Sequence, residues 1–312
     1  MFLAKNVLLY MIMQCWGSIM SSVKKIPVFK SIFIIFLFSI FMPKSGFSED
    51  IKVIRFGVLS IAQPSRIYEK WQPFADYMSR QLGQSVEIVI PRGFKKMKTT
   101  IAEGDVDFFY INSHVFYLLK QEGKVTAVAQ MKNISDKVTS VSEIFVKKDS
   151  GIKSALDLKG KKIAFVSPMG AGGYLAPRAY LYKTGLKSGI DSEEVFTKNL
   201  SNSIHGVLLG DYDAASMCGV NYKLMSKKIE TGELDVIAIS DEYPENVIGV
   251  RSNLSTDMIR QIRNELLAMK EYEEGKVILE NMRSIKIREF VKYDASIEKI
   301  TERMLSSGQF NP

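Results

Sequence analysis

From residue 53 onward the chain alternates between two patterns. Short apolar runs such as 53–59, 86–90 and 106–111 are followed by segments whose apolar residues recur at steps of three and four. The clearest such segment carries Ile67, Trp71, Phe74, Met78 and Leu82 on one helical face. Strands that alternate with helices pack as α/β sheets with parallel strands and right-handed crossovers. With 312 residues there is room for two ordinary domains.

Further strands are expected at 125–131, 141–146, 163–166, 195–197, 213–217 and 236–239. Helices are expected over 94–102, 112–120, 172–184, 203–209 and 221–230. After Pro244 the chain is expected to turn helical. Met258, Ile262, Leu266 and Met269 share one face there, and a last helix runs over about 296–305. Pro73 either kinks the first helix or marks its true first turn. Pro177 is expected to interrupt the helix over 172–184.

The stretch 160–178, GKKIAFVSPMGAGGYLAPR, is where this pattern meets chemistry. A strand runs into a glycine-rich turn, and a helix starts after it. Gly170, Gly172 and Gly173 let the backbone turn tightly and approach another group. Such a loop aims several N–H groups and the positive end of a helix dipole at one spot, which suits an anion. The plainer reading is that the glycines only make a turn. A phosphate-binding P-loop would need Lys-Ser/Thr after its last glycine, and Tyr174-Leu175 stand there instead. A dinucleotide fingerprint would need glycine at Leu175.

The N-terminus reads as an address. Lys24, Lys25 and Lys30 precede the apolar run SIFIIFLFSIFM at 31–42, and Lys44, Ser45, Gly46 and Ser48 follow it. This is the layout of a secretory signal peptide over 1–48, with cleavage expected between Ser48 and Glu49. The apolar run is short for a membrane span, and an uncleaved anchor is the alternative. A second apolar stretch at 1–19 points to an upstream mis-start, with Met20 the initiator. Cys15 has no lipobox around it.

Removing residues 1–48 takes five lysines and no acids from the 42 basic and 34 acidic residues, so the net charge falls from +8 to a mild +3. No strongly basic stripe marks a nucleic-acid partner, and none is expected. Cys218 then stands without a disulfide partner, and a buried, inert thiol is its expected state. His114 and His205 are the only histidines, and no Cys/His/Asp/Glu cluster has metal-ligand spacing. No cofactor and no metal is expected. No G-x-S-x-G elbow and no nucleophile–base pairing is visible. Lys95-Lys96 and Lys227-Lys228 read as solvated helix faces, His205 as a helix-face residue, and the strand residues Phe108, Phe109 and Tyr110 as core. Asp241-Glu242 reads either as a solvated loop or as a partner for a cationic part of a ligand.

Several pieces together resemble the PhnD-like substrate-binding proteins of phosphate, phosphite and phosphonate ABC importers. They are FGVLS at 56–60, WQPFADYMSRQLG at 71–83, EGDVDFFYINSHVFY at 103–117, SGIKSALDLKGKKIAFVSPMGAGGYLAPR at 150–178 and LLGDYDAAS at 208–216. The resemblance covers about residues 52–290. It implies a type II periplasmic-binding-protein fold, two α/β lobes joined by a two-stranded hinge with a ligand cleft between them. Lobe 1 would comprise 52–145 plus 244–312, and lobe 2 would comprise 146–243. On this fold the residues expected to hold ligand are Gln63, Phe94, Tyr110, Asn112, Ser113, His114, Ser167, Gly170, Ala171, Gly172, Gly173, Tyr174 and Ser201, with a surface or capping role the alternative for His114.

This chain departs from the family pattern at the cleft. Gly170-Ala171-Gly172-Gly173 stand where the family usually has Ser-Thr-Ser-Gly, so three hydroxyl donors are missing while the backbone N–H groups remain. Phe94 and Phe116 fall where tyrosine is frequent, Leu200 where histidine is common, and Asn112-Ser113 where Gly-Pro is usual. Each lost hydrogen bond to a charged group costs roughly 1.5–3 kcal/mol, so the resemblance constrains the fold more tightly than the ligand.

The function expected from these features is an exported, non-enzymatic, monomeric solute-binding protein. It would capture a small anionic, phosphonate-, phosphite- or phosphate-like solute and deliver it to an ABC permease. Three rivals stand beside it. One is the same clamp presented to a membrane sensor kinase. Another is an enzyme on this fold, which would need clustered acid and base groups. The third is a scaffold without ligand. A bulky residue at Gly172 is expected to abolish binding while the fold persists.

Overall fold

The computed structural model describes residues 53–59 and 64–307. The signal segment, its cleavage point, Met20, Cys15 and Gln63 lie outside the described residues. Two sheets organise the rest. The first is built from β1 (Ile54–Val58), β2 (Val86–Val89), β3 (Phe108–Ile111), β4 (Val125–Asn133), β12 (Val247–Arg251) and β13 (Ile287–Val291), in the order β13-β4-β12-β3-β1-β2. The second holds β6 (Ser142–Lys147), β7 (Lys162–Phe165), β8 (Glu193–Phe196), β9 (Ala214–Cys218) and β10 (Leu234–Ile239), in the order β10-β6-β9-β7-β8. The chain passes between sheets through β5 (Thr139–Ser140) and returns through β11 (Tyr243–Pro244). These two short strands pair antiparallel, with Tyr243 opposite Ser140.

The sheets are mixed, where parallel strands had been expected throughout. In the first, β2-β1-β3 run parallel, while β12 is antiparallel to both β3 and β4. In the second, β9-β7-β8 are parallel and β6 and β10 antiparallel. The antiparallel members follow from the double crossing, since each return enters the sheet from the hinge side. The crossing also comes earlier than the expected boundary at 145/146, because β6 belongs to the second sheet from Ser142.

β12 and β13 escape the sequence reading for identifiable reasons. Gly249 inside β12 looks like a breaker, yet a Cβ there would lie 2.6 Å from the Phe109 ring. The glycine admits a close neighbour into a continuous strand. β13 lies at the sheet edge, and its Arg288 and Glu289 mask the apolar signal. α8 (Glu273–Met282) was likewise missed behind a run of charges.

Among the helices, α1 (Pro64–Leu82) runs through Pro73, which lies on its exposed side. The Glu69 carbonyl that loses a partner there belongs to an exposed residue and can bind water. α1 covers the first sheet with Trp71, Phe74, Tyr77 and Met78, against Phe56 and Phe108. Phe108 and Tyr110 join this cluster, while Phe109 and Ile111 face the opposite side of β3, beneath α2 (Gly93–Ala102) and α3 (Ser113–Gln121). The second sheet has a thinner core of Ile144, Val146, Ile163, Phe165 and Leu181 on one face and Phe145, Ile204 and Met217 on the other. Leu181 comes from α4 (Ala176–Lys183) and Ile204 from α5 (Leu200–Leu209). α6 (Gly219–Met225) follows β9, and α7 (Thr256–Ala268) and α9 (Glu298–Ser307) complete the order. No helix among the described residues is long and apolar enough to cross a membrane.

Candidate functional site

In an α/β sheet the carboxyl ends of parallel strands leave side chains and main chain unpaired, and ligands collect there. Here both sheets aim those ends at one cavity of about 320 Å³. Val58 at the end of β1, and Tyr110, Ile111 and Asn112 at the end of β3, line one side. Val166 after β7, and Met217 and Cys218 at the end of β9, line the other. Trp71, Phe94, Leu200, Tyr243 and Lys286 complete much of the wall.

The glycine stretch folds into a feature the sequence did not announce. Residues Ala171–Leu175 make a single π-helical turn that runs straight into α4. Its wide turn is closed by Leu175 N–H donating to the Gly170 carbonyl at 2.9 Å. Pro177 therefore does not interrupt the helix. It sits in the opening turn of α4, where its missing N–H costs little. Two serines fix the turn from behind. Ser142 Oγ donates to the Gly172 carbonyl at 2.5 Å, and Ser216 Oγ to the Gly173 carbonyl at 3.3 Å. In a trans peptide the C=O and the next N–H point opposite ways. Anchoring the Gly172 and Gly173 carbonyls thus fixes the Gly173 and Tyr174 N–H groups toward the open start of the turn. The N–H groups of 171–173 have no carbonyl within the turn to bind, and Gly170, Ala171, Gly172 and Gly173 all line the cavity.

The expected site residues divide into two sets. Phe94, Tyr110, Asn112 and residues 170–173 are brought together on the wall. Asn112 caps α3 by accepting from Val115 N–H at 2.9 Å, and its amide donates across the cavity mouth to the Met169 carbonyl at 3.1 Å. The others are occupied elsewhere. Ser113 donates to the Pro244 carbonyl at 2.7 Å. Tyr174 turns away, its hydroxyl 2.7 Å from Glu194 Oε2, beside an Arg178–Glu194 ion pair of 3.0 Å. Ser167 accepts from Met169 N–H at 3.3 Å, and half-buried Ser201 lies in the first turn of α5 behind Leu200. His114 is buried on α3, and burial first, then the charge of Lys98, pushes its pKa down to about 4. Of the departures from the family pattern, Phe94 and Leu200 face the cavity, whereas Phe116 packs in the core against Tyr293.

Gly172 is more crowded than a simple turn requires. A Cβ there would collide with the Tyr243 ring and hydroxyl, and Tyr243 is buried. A bulky residue at Gly172 therefore disturbs packing as well as binding, so it cannot separate the two as expected. Asp241 and Glu242 are taken up by Lys183 and Lys137 at 2.8 and 3.3 Å, which makes them surface pairs on the return crossing.

Sequence reasoning missed Lys286 and Glu245. Lys286 lines the cavity, and its ammonium lies 3.0 Å from Glu245 Oε2. Glu245 Oε1 also accepts from Asn133 Nδ2 at 3.0 Å and from Ser140 Oγ. The side chains are 13% and 0% exposed, so the pair is desolvated. Burial opposes both charges. For Lys286 the neighbouring Cys218 and Glu245 more than offset burial and hold the ammonium above the ordinary lysine value. For Glu245, Lys286 and the hydrogen bonds from Ser140 and Asn133 hold the carboxyl below the usual range. The two residues stand 41 apart in sequence, with no local motif to link them. Among the described residues no group of His, Cys, Asp and Glu could hold a metal ion.

Two α/β lobes joined by a paired double crossing, with a cavity at the carboxyl ends of both sheets, define a type II periplasmic solute-binding protein. The chain belongs to the family described as ABC transporter, phosphonate, periplasmic substrate-binding protein, whose model matches residues 56–296. That family is one of transport binding proteins rather than enzymes. Among curated proteins, the chain is 29% identical over 145 residues to the tetrathionate sensor histidine kinase TtrS of Salmonella typhimurium, covering 45% of this chain. The match spans 24% of that kinase's length. It is 23% identical over 231 residues to the phosphate-import protein PhnD of Mycolicibacterium smegmatis, covering 70% of this chain and 71% of that one. Among solved structures, PhnD1 from Prochlorococcus marinus in complex with methylphosphonate superposes with a TM-score of 0.71 at 17% identity. It covers 82% of this chain and 97% of that chain.

Proposed function

We propose that this protein captures a small oxyanion of the phosphonate class in the periplasm and delivers it to an ABC permease. The observation that carries the reading is the serine-anchored π turn. It offers the N–H groups of residues 171–173 at the wall of a cavity between two sheets. Main-chain donors at a helix start bind anions without any hydroxyl side chain, so the loss of Ser and Thr from the loop leaves the grip in place. Membership of the family supports the compartment and the permease as partner. The hinge at β5 and β11 supplies the motion, and ligand favours whichever opening of the cleft it binds more tightly.

Calorimetry of the exported chain against phosphate, phosphite, methylphosphonate, aminoethylphosphonate, short sulfonates and short carboxylates tests this. At least one oxyanion is expected to bind stoichiometrically. Silence across the panel removes the reading. The likeness to TtrS favours a second reading, in which the loaded clamp is presented to a membrane sensor kinase. Deleting the gene separates the two. Lost uptake of labelled ligand marks transport, and a lost transcriptional response with uptake intact marks sensing.

A further inference from the structure

Lys286 is a costly residue in its position. Its backbone sits in the left-handed region at φ 67, at the end of the short turn Arg283–Ile285. Glycine takes that conformation without strain and would be the ordinary choice. Its side chain is only 13% exposed, and the residue lines the cavity. An ammonium has three N–H donors. One meets Glu245 Oε2 at 3.0 Å, and another approaches the weak acceptor Cys218 Sγ at 3.9 Å. No third partner for the ammonium is found among the described residues, and Lys286 lines the cavity. Lys286 and the glycine turn line the same cavity and share Cys218 and Tyr243 as neighbours. Cys218 and Tyr243 pack in one cluster with Ala171, and the Tyr243 ring abuts Gly172.

We infer that Lys286 supplies the cationic contact to the ligand's anionic group, facing the N–H groups of residues 171–173, and that the site takes an oxyanion carried on an apolar body. The inference rests on the binding reading above and names the residue and the ligand class within it. Glu245 is a positioning residue: Asn133 and Ser140 fix its other oxygen, so it holds the ammonium in one place. Glu245 already balances this lysine's charge, and the other cation on the wall, Lys228, is exposed to solvent. The buried part of the site therefore has little surplus positive charge to attract a compact dianion. Most of the remaining wall is apolar or aromatic, with Val58, Trp71, Phe94, Leu200 and Met217 among it. Burying the ligand's apolar part against these groups adds affinity that an inorganic anion cannot gain.

The test is calorimetry on the intact protein with inorganic phosphate, methylphosphonate, phenylphosphonate, benzenesulfonate and the neutral methyl phenyl sulfone. In the wild type, the phenyl-bearing anions are expected to bind more tightly than methylphosphonate or phosphate. Replacing Lys286 alone strands a buried carboxylate, so the variant to use is Lys286→Met with Glu245→Gln, which removes both charges at similar shape. It is expected to weaken benzenesulfonate roughly ten- to hundredfold, the size of a lost charge-assisted hydrogen bond, and to leave methyl phenyl sulfone unchanged. Equal affinity of wild type and double variant for the anions overturns the role of Lys286, and so does an equal loss for the neutral sulfone. Preference for inorganic phosphate over the phenyl anions overturns the ligand class. If none of the anions, including those of the wider panel, binds the wild type, the binding reading itself fails.

Discussion

The two walls of the cavity are made by different means. On the first-sheet side the polar groups are side chains: Asn112 at a helix cap, and Lys286 held by Glu245. On the second-sheet side the glycine turn offers main-chain N–H groups, with Ser142 and Ser216 holding the Gly172 and Gly173 carbonyls from behind. Asn221 and the exposed Lys228 are the polar side chains of that wall. Side-chain groups titrate and can be deleted one at a time. Main-chain groups do neither, and only packing can move them. One cleft thus joins a buried ion pair that responds to chemistry and a glycine turn that responds to sterics. The bulk behind each wall differs too. The first sheet is backed by stacked and tilted rings, Phe56 with Phe108, Trp71 and Phe74 at centroid distances of 4.4 to 5.2 Å. The second is backed mainly by aliphatic side chains.

The sharpest way to break the comparison is at Lys286. Lys286→Met alone leaves Glu245 charged, wholly buried and without its cation. Breaking a buried pair from one side costs about 3–5 kcal/mol, read as a drop in the urea midpoint at pH 7. Adding Glu245→Gln removes the stranded charge and is expected to restore most of that loss. If the single variant is as stable as the double, the first wall does not depend on its charges, and the distinction between the walls disappears.

How legible each wall was follows from the same difference. The glycine turn could be read because its signal is local: three glycines within four positions, between an apolar run and a helix. Lys286 and Glu245 could not, because their partnership exists only once β11 and β13 are placed. β13 was hidden by its own edge charges, and β12 by Gly249 making room for Phe109. The two-lobed fold was legible through the strand and helix periods and the family resemblance, down to the opposite facing of Phe108 and Phe109. The antiparallel members were not, since strand direction is set by where the chain crosses and not by composition. Tyr174 and Ser113 were misplaced for a related reason. Each stands beside true wall residues in sequence, but its side chain finds a partner on the far side, at Glu194 and at the Pro244 carbonyl.

A second test uses pH. Burial first, and then Lys98, lower the His114 pKa from 6.5 to about 4 in the folded protein. Between those values the unfolded chain binds a proton that the native protein does not. Acidification through that interval therefore draws the equilibrium toward the unfolded state, by about 3 kcal/mol over the full range. The lowered Glu245 carboxyl acts in the same direction below the ordinary glutamate range, since its stabilisation is lost as pH falls through the folded value. Urea midpoints of wild type and His114→Gln, taken at pH 7 and at pH 4.5, isolate the histidine. The variant is expected to lose less on acidification. Equal losses would mean His114 is not the group that makes this side acid-sensitive.

The smallest effects lie at the glycine turn, and they should differ in sign between adjacent glycines. At Gly172 a Cβ would lie 2.9 Å from Tyr243 Cε1 and closer still to its Cζ and hydroxyl oxygen. Tyr243 is held between Cys218 and the crossing strands and cannot swing out. Gly172→Ala is therefore expected to cost about 1–3 kcal/mol, as overpacking does. At Gly173 the nearest atom to a Cβ is Val166 Cβ at 3.8 Å, an ordinary contact. Gly173→Ala should be tolerated or stabilise by roughly 0.5–1 kcal/mol, because alanine has less chain entropy to lose in a helical turn. Both variants keep the N–H groups, so thermal melts report the clamp without deleting the donors. Equal shifts at the two positions would show that Tyr243 does not hold the turn, and the turn would then need another explanation for its fixed geometry.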